Sequence, residues 1–151
     1  MKIAAHFCRA QKISFIFDPG QQICVLQKSD FFEIAQKSFV SIFNEFEWKT
    51  ARENFLKNES EIFELCENLI ITRGENGAEI RCKNSSPEKI SAKKVSKVID
   101  ATGAGDAFRA GILFGMAHNW PLKKSCELGA KIAAEAVQSF GTQNFSFKID
   151  S

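Results

Sequence analysis

The sequence predicts an α/β layered fold with a mainly parallel sheet. Short apolar runs alternate with segments of helical length along the 151 residues, and this alternation is typical of parallel strands joined by helices. Glycine, proline or asparagine follows the main apolar runs, as expected where a buried strand turns into a surface loop. The hydrophobic content of 44% is sufficient to fill a buried core.

Five segments are predicted to be strands: three short apolar runs, a segment that follows a hairpin turn, and a short strand in a polar stretch. Their valine, isoleucine and phenylalanine side chains are of the kinds enriched in strands. Between the third and fourth segments, Asn76-Gly77 is a strong hairpin signal. In chain order the predicted strands are 13–17, 39–43, 69–72, 78–82 and a short strand near 89–92.

The segments between the strands are predicted to be helices, largely from the residues at their ends. Asn44 can accept a hydrogen bond as the cap of a helix over 45–54, and Pro121 suits a first helical position. Gly141 follows the end of the last helix. The helical segments, in order, are 1–11, the stretch capped by Ser29-Asp30 that carries Phe31, Phe32, Ile34 and Ala35, then 45–54, 60–67, 107–118 with Phe108, Ile112 and Leu113 facing inward, and 121–139.

Composition excludes several classes of protein. A net charge of +2 gives no case for binding nucleic acid. The five cysteines are odd in number and widely spaced without a C-x-x-C pair, which argues against a disulfide framework and a structural zinc site. No apolar run approaches the 18 or so residues of a membrane span. We therefore expect a cytoplasmic protein with neither nucleic acid nor membrane as a partner.

Four turns follow the predicted strands and are the candidate site. Parallel sheets bind ligands beyond the carboxyl ends of their strands, so we expect these turns to converge. The turns are 18–20, 44–47, 72–77 and 100–106.

The glycine turn that leads into the helix after residue 106 suits phosphate chemistry. Gly103 and Gly105 allow a ligand close to the backbone, and the start of a helix presents unpaired N–H groups. Gly103, Ala104, Gly105 and the N–H of Asp106 could form an anion hole for a transferring phosphoryl group. The Asp106 carboxylate makes sense there as the base that takes a proton from an attacking hydroxyl.

Plainer alternatives remain open at this turn. Asp106 could merely cap the helix, while the glycines merely turn the chain. The phosphate loop G-x-x-x-x-G-K-[ST] is absent, and the third position of G-x-G-x-x-G is occupied by Phe108. The absence of the second motif argues against a dinucleotide-binding oxidoreductase.

Five segments in chain order resemble the ribokinase-like (PfkB) family of sugar and nucleoside kinases. Residues 100–111 resemble its signature D-T/P-T-G-A-G-D-A-F-x-x-G, and the combination is most similar to the bacterial adenosine-kinase-like branch. The resemblance spans about residues 13–147. The other four segments are Phe17-Asp18-Pro19-Gly20-Gln21-Gln22 for a D-P strand end, Asn44-Glu45-Phe46-Glu47 for N-x-x-E, 72–78 for T-x-G-x-x-G and Ser139-Phe140-Gly141-Thr142-Gln143 for the C-terminal loop.

The resemblance implies a ribokinase-like three-layer α/β/α sandwich, present as its C-terminal half, and a role for each motif. Asp106 would be the catalytic base, and Gly103, Ala104 and Gly105 the anion hole. Asn44 and Glu47 would place Mg²⁺ and the phosphates of ATP, Glu47 through water. The alternative for this pair is a helix cap and a solvated glutamate.

Further positions are implied to bind the nucleotide or a monovalent cation such as K⁺. Thr72, Gly74 and Gly77 would line the nucleotide, or form an ordinary strand end and turn. Gly129 and Ala133 would pack against adenine, or simply allow a close helix contact. The implied cation ligands are Asp100 and backbone groups of Thr102, Ala136, Ser139 and Gly141.

Family members are about twice as long as this chain, and their N-terminal half holds the acceptor. We therefore expect residues 1–151 to be a single partial domain whose Met1 falls inside a helix that follows an earlier strand. The apolar edge at 13–17 would favour a homodimer or pairing with a separately encoded N-terminal half. The implied activity is ATP-dependent phosphorylation of a nucleoside or sugar hydroxyl, with adenosine favoured. The alternative is a silent nucleotide-binding fragment or the remnant of a split gene.

Overall fold

The computed structural model describes residues 1–149, whose five strands pair in chain order. The strands are β1 (Ile16–Phe17), β2 (Ser38–Asn44), β3 (Cys66–Thr72), β4 (Ala78–Cys82) and β5 (Glu88–Ile90). Strands β1, β2 and β3 are parallel neighbours. The connections at 73–77 and 83–87 are too short for a crossover, so β4 and β5 run antiparallel to their predecessors. The sheet is therefore mixed, with its parallel part at β1–β3.

Five α-helices and three short 3₁₀ segments accompany the strands. The helices are α1 (Lys2–Ala10), α2 (Lys28–Ala35), α3 (Glu45–Asn54), α4 (Ala104–Ala117) and α5 (Leu122–Ala136). The 3₁₀ segments are Gly20–Cys24, Glu59–Glu64 and Gly74–Asn76. The predicted helix at 45–54 is confirmed with its bounds and its Asn44 cap. The predicted strand at 13–17 is regular only over Ile16–Phe17.

The predicted cap of α2 is wrong. Gln27, without a side-chain bond, is the residue that precedes the helix, and Ser29 and Asp30 lie in its first turn. Asp30 instead forms an ion pair with Lys2 of α1, with 2.6 Å between Lys2 Nζ and Asp30 Oδ1. The Asp30 side chain, which was expected to cap the helix, therefore binds Lys2, a residue remote in sequence.

The predicted helix at 60–67 is also wrong. A 3₁₀ segment ends at Glu64, and Asn58 caps it by accepting a bond from the Glu61 N–H at 3.2 Å. The chain cannot remain helical to residue 67, because Cys66 already pairs with Ser38 of β2. Strand pairing thus overrides the local helical preference.

The ends of α4 and α5 differ from the predicted ones. Helix α4 begins three residues early, at Ala104, and its Leu113 is 53% exposed rather than facing inward. Pro121 precedes α5 instead of opening it, and α5 ends at Ala136, well before Ser139. The early start of α4 puts Ala104, Gly105 and Asp106 in the first turn of the helix.

The chain divides into two compact units, residues 1–73 with 79–88 and residues 74–78 with those from 89 onwards. The expected single partial domain therefore stays a prediction. In the first unit, phenylalanine rings packed face to face and edge to face form the centre of the core. Phe31 lies 4.6 Å from Phe55 and 5.4 Å from Phe17, measured between ring centroids. This cluster fixes β1 against α2 and so positions the carboxyl end of β1.

In the second unit, α4 and α5 meet through glycines. A Cβ atom on Gly111 would lie 2.3 Å from the Gly129 nitrogen, and one on Gly129 would lie 2.5 Å from the Phe108 carbonyl oxygen. Real Cβ atoms do not approach backbone this closely. The two helices can therefore keep their spacing only with glycine at both positions.

We expect Gly111→Ala to lower the free energy of unfolding by about 1–3 kcal/mol, since the added methyl group must push the helices apart. The exposed Leu113→Ala on the same helix should stay within about 0.5 kcal/mol of the wild type. Urea denaturation followed by circular dichroism measures both. A Gly111→Ala chain as stable as the wild type would contradict the close packing.

Candidate functional site

The start of α4 is an open group of backbone donors. Gly103 precedes the helix at φ +83°, a left-handed conformation that suits glycine, and has no side chain with which to cap it. The Ala104 N–H donates to the Ala101 carbonyl at 3.2 Å within the turn. The Ala104 N–H is therefore used within the turn, while the N–H groups of Gly105 and Asp106 lie at the positive end of the helix dipole. The anion hole stays a prediction.

Asp106 lies on this first turn with its side chain 74% exposed. Its Oδ1 accepts a hydrogen bond from Nη2 of Arg109, three residues further along the helix. The same guanidinium lies 3.4 Å from where a Gly105 Cβ would be. The Asp106 carboxylate and the Arg109 guanidinium therefore lie together next to the open N–H groups of Gly105 and Asp106. Sequence reasoning missed Arg109, although its i,i+3 spacing from Asp106 is a recognised signal for an ion pair.

The Asp100 carboxylate joins the glycine turn to the loop after α5. Its Oδ1 accepts the Thr102 N–H at 2.8 Å, and its Oδ2 accepts the Gly141 N–H at 3.0 Å. The bond from Thr102, followed by that from Gly141, holds the pKa of Asp100 below its ordinary value. An ionised Asp100 thus fixes the approach to α4.

The residues predicted to hold a monovalent cation are only partly brought together. Asp100, Thr102 and Gly141 meet through the carboxylate. The Ala136 carbonyl accepts the Ser139 N–H at 3.2 Å as α5 ends. The Val137 carbonyl accepts the Ile99 N–H at 2.8 Å, which keeps the two segments side by side.

Gly129 and Ala133 lie on α5, and the structure gives Gly129 a packing role. Gly129 is buried against the backbone of Phe108. A close contact between α4 and α5 is the alternative given in the sequence analysis, and it explains the glycine at position 129 without a ligand. Ala133 is half-buried against the neighbouring apolar cluster. Contact of either residue with adenine stays a prediction.

Asn44 and Glu47 form a reciprocal capping box at the start of α3. Asn44 Oδ1 accepts the Glu47 N–H at 2.8 Å, and Glu47 Oε2 accepts the Asn44 N–H at 2.8 Å. The predicted cap is confirmed, but the glutamate is 9% exposed rather than solvated. Their proposed contact with Mg²⁺ and phosphates stays a prediction.

The parallel strands bring Asn44 next to Thr72. The two residues are partners in the β2–β3 register, and the Thr72 hydroxyl donates a long bond of 3.5 Å to the Phe43 carbonyl. Two of the predicted turns therefore adjoin at the carboxyl edge, whereas convergence with turn 100–106 stays a prediction. Gly74 and Gly77 close their own turn through an N–H···O bond of 3.0 Å from Gly77 to Gly74.

Arg73 is a second cation that sequence reasoning missed. Its guanidinium binds Glu79 at 3.0 Å and lies 3.9 Å from Glu45, at the first position of α3. Arg73 could have been identified from its position directly after Thr72, in a turn already assigned to the site. Arg73 adds positive charge to the edge where Asn44 and Thr72 end their strands.

Neither a cluster of metal-binding side chains nor a membrane-spanning helix occurs among residues 1–149. Among residues 1–149, no group of three or more histidine, cysteine, aspartate and glutamate side chains is arranged to hold a metal ion. None of the helices in this part is both long and apolar enough to cross a membrane. A Mg²⁺ ion held mainly by phosphates and water does not need such a cluster.

Comparison with known proteins gives a consistent match. The sequence model for "pfkB family carbohydrate kinase" matches residues 1–149. A nucleoside kinase of Methanocaldococcus jannaschii is 36% identical over 128 residues, 84% of this chain and 42% of the relative. Its crystal structure, described as an archaeal member of the ribokinase family, has a TM-score of 0.83 with 32% identity and covers 88% of this chain and 44% of that one.

Two further proteins extend this likeness. The Burkholderia thailandensis nucleoside kinase in complex with inosine has a TM-score of 0.87 at 32% identity, covering 93% of this chain and 47% of its own. A ribokinase of Lactococcus lactis is 31% identical over 92% of this chain and 44% of its own length. The predicted ribokinase-like fold is confirmed, and the chain spans less than half the length of each of these relatives.

We expect Asn44→Ala to lower the free energy of unfolding by about 1–2 kcal/mol, because the Glu47 N–H and carboxylate lose their partners in the capping box. Asn44→Ser keeps a capping oxygen and should be nearly neutral. Thermal denaturation of the two variants checks this. Equal destabilisation by both would show that the side chain does not act as a cap.

The tether at Asp100 predicts a pH dependence. Since the folded-state pKa is lowered, the tether is intact above the unfolded-state pKa and is lost as the pH falls through the folded-state value. The Gly141 amide proton, followed by NMR, should titrate with a midpoint below the ordinary 3.8 of an aspartate. Asp100→Asn should abolish the titration. A midpoint at or above 3.8 would contradict the hydrogen-bonded carboxylate.

Proposed function

The chain belongs to the pfkB family of carbohydrate kinases, and from this we propose that it is the ATP-binding and catalytic part of a kinase that phosphorylates a nucleoside hydroxyl. The observation that carries the proposal is the first turn of α4. Open N–H groups at Gly105 and Asp106 and the exposed Asp106 carboxylate lie together there. An anion site and a proton acceptor are the two elements that phosphoryl transfer from ATP to an alcohol requires of the protein.

In the proposed reaction the hydroxyl oxygen of the acceptor attacks the γ-phosphorus of ATP, the bond from that phosphorus to the bridging oxygen breaks to release ADP, and Asp106 receives the hydroxyl proton. A positioned base contributes about 10²–10⁴-fold in rate. The N–H groups of the first turn of α4 hold the transferring phosphoryl oxygens, aided by the helix dipole. The Arg109 guanidinium donates a hydrogen bond to the Asp106 carboxylate and so holds it in place. Its positive charge also lies near the transferring phosphoryl group, which carries negative charge.

The nucleotide and its metal would be held by the edge after β2 and β3. Asn44 and Glu47 would place Mg²⁺, which neutralises phosphate charge when bound. One buried carboxylate fits an ion that keeps water and phosphate oxygens as most of its ligands. Thr72 would line the nucleotide at this edge. The family resemblance implies Gly74, Gly77, Gly129 and Ala133 as further nucleotide-binding positions.

A monovalent cation such as K⁺ would act on the glycine turn through Asp100. The ligands would be this carboxylate and the backbone of Thr102, Ala136, Ser139 and Gly141. The lowered pKa of Asp100, caused by its bonds to Thr102 and Gly141, supports a carboxylate that stays ionised. The cation would stabilise the position of the backbone N–H groups at the start of α4 that hold the phosphoryl oxygens.

A nucleoside is the acceptor that the comparisons favour over a free sugar. The M. jannaschii relative and the B. thailandensis protein, solved with inosine, are both nucleoside kinases. Adenosine is the acceptor implied by the motif resemblance, and its 5′-hydroxyl is the site we propose for transfer. Ribose is the sugar to compare, since a ribokinase also matches.

A silent nucleotide-binding fragment is the second candidate function. The observation in its favour is that the chain spans less than half the length of these relatives. Such a fragment would bind ATP without phosphorylating an acceptor.

One assay separates the two candidates. The chain is incubated with ATP, Mg²⁺ and K⁺ and with adenosine, inosine, cytidine or ribose, and phosphorylated product is measured beside ATP binding by calorimetry. Nucleoside phosphorylation supports the kinase. ATP binding without product would favour the silent fragment, and the lack of any ATP binding would contradict both.

We expect Asp106→Asn to lower phosphoryl transfer by at least about 10²-fold, because the amide cannot accept the proton. ATP affinity should stay within about threefold of the wild type, since the first-turn N–H groups remain. Glu135→Gln removes an exposed carboxylate from α5 and is the matched control, with unchanged transfer. Wild-type rates in Asp106→Asn would refute the base assignment.

A further inference from the structure

Four exposed lysines lie in the stretch of chain that runs from β5 to the glycine turn. No acidic residue interrupts this stretch between positions 89 and 99. Within residues 1–149, none of the four has a carboxylate partner. The four residues, called the lysine strip from here on, are Lys89, Lys93, Lys94 and Lys97.

The lysine strip contains the excess positive charge of the chain. The sequence has 20 lysine and arginine residues and 18 aspartate and glutamate residues. Without the strip, 16 basic residues would remain against the same 18 acidic ones, and the net charge would change from +2 to −2. Other lysines are balanced locally, since Lys2 pairs with Asp30 and Lys49 with Glu53. The potential over the strip is therefore positive although the net charge is small.

Apolar side chains between the lysines hold the strip in place. Ile90 is buried, and Ala92 and Val95 are half-buried, whereas all four lysines are exposed. The backbone is therefore anchored from one side, and the positive charges are presented to solvent on the other. Four like charges placed this close together repel one another, so an anion that comes to the strip relieves that repulsion.

The first end of the strip packs on a turn that the proposed function assigns to the nucleotide. A Cβ atom on Gly77 would lie 2.0 Å from the Ile90 carbonyl oxygen and 2.8 Å from the Ala92 nitrogen. The backbone between Lys89 and Lys93 is thus in direct contact with the 74–77 turn. Positive charge is thereby fixed on both sides of this contact.

The second end of the strip leads to the glycine turn. Lys97 lies three residues before Asp100, whose carboxylate binds the N–H groups of Thr102 and Gly141. A fully extended chain spans at most about 3.6 Å per residue, so the Cα atoms of Lys97 and Asp100 are no more than about 11 Å apart. That distance is about one Debye length at 0.1 M salt. The charge of Lys97 is therefore only partly screened at the start of α4.

We propose that the lysine strip is an electrostatic entry path for ATP, which draws the anionic triphosphate towards the glycine turn and raises its rate of association. The proposal rests on the proposed ATP site. The triphosphate stays anionic when Mg²⁺ is bound, and charge of one sign beside a site raises association rates by about 10- to 10³-fold. Because the strip acts before ATP is bound, it changes association rather than dissociation. ADP, with less charge, is drawn less strongly.

Stopped-flow mixing of the full chain with mant-ATP, a fluorescent ATP analogue, and Mg²⁺ measures both rate constants. At about 0.1 M salt, the double variant Lys93→Gln, Lys94→Gln should associate about threefold more slowly or worse, with unchanged dissociation. The difference from the wild type should vanish near 1 M salt, where the Debye length is about 3 Å. It should also be smaller with mant-ADP than with mant-ATP.

The double variant Lys123→Gln, Lys124→Gln is the matched control, because it removes the same charge from another adjacent pair of exposed lysines. This pair lies at the start of α5, next to the end of α4 that is remote from the glycine turn. The 14 residues of α4 span about 20 Å, or about two Debye lengths at 0.1 M salt. Association of mant-ATP with the control should therefore stay close to the wild-type rate.

Three results would overturn the entry path and leave the proposed ATP site standing. One is wild-type association in the Lys93, Lys94 variant. Another is an equal loss in the control, which would assign the effect to net charge and not to its placement. The third is faster dissociation as the main change, because the lysines would then belong to the bound site. A wild-type chain that binds no mant-ATP would refute the proposed function together with the entry path.

Discussion

The Asp100 carboxylate is the contact on which the candidate catalytic turn depends. It binds the backbone of Thr102 on one side and of Gly141 on the other, across 41 residues of sequence. These bonds fix the chain immediately before Gly103, whose left-handed backbone then starts α4. Ala101 and Thr102 are exposed, so the turn is held by its hydrogen bonds, among them this tether and the bond from the Ala104 N–H to the Ala101 carbonyl, and not by burial.

Glycine has two different tasks around this turn. Gly103 is required by backbone conformation, whereas Gly111 and Gly129 are required by the small distance between α4 and α5. The closeness of the helices in turn places Phe108 and Ile112 in a buried position two and six residues after Asp106. Helix packing, together with the Asp100 tether, therefore determines how Asp106 is presented.

Much of the fold follows from local signals, and the failures have identifiable causes. Asn44 was predictable as the cap of 45–54 because the acceptor and its donor lie three residues apart. The role of Asp30 was not, since its partner Lys2 is remote in sequence. The early start of α4 depends on the φ of Gly103, which glycine permits but does not dictate. Likewise, the motifs identified Asp106, but its pairing with Arg109 required the helical register of a helix that begins at Ala104.

The central claim is that the first turn of α4 holds the phosphates of ATP. Amide NMR of the ¹⁵N-labelled chain, titrated with ATP and Mg²⁺, tests it most directly. We expect the Gly105 and Asp106 amides to show the largest shifts of α4 and to saturate together. Saturable ATP binding that leaves these two amides unmoved would contradict it.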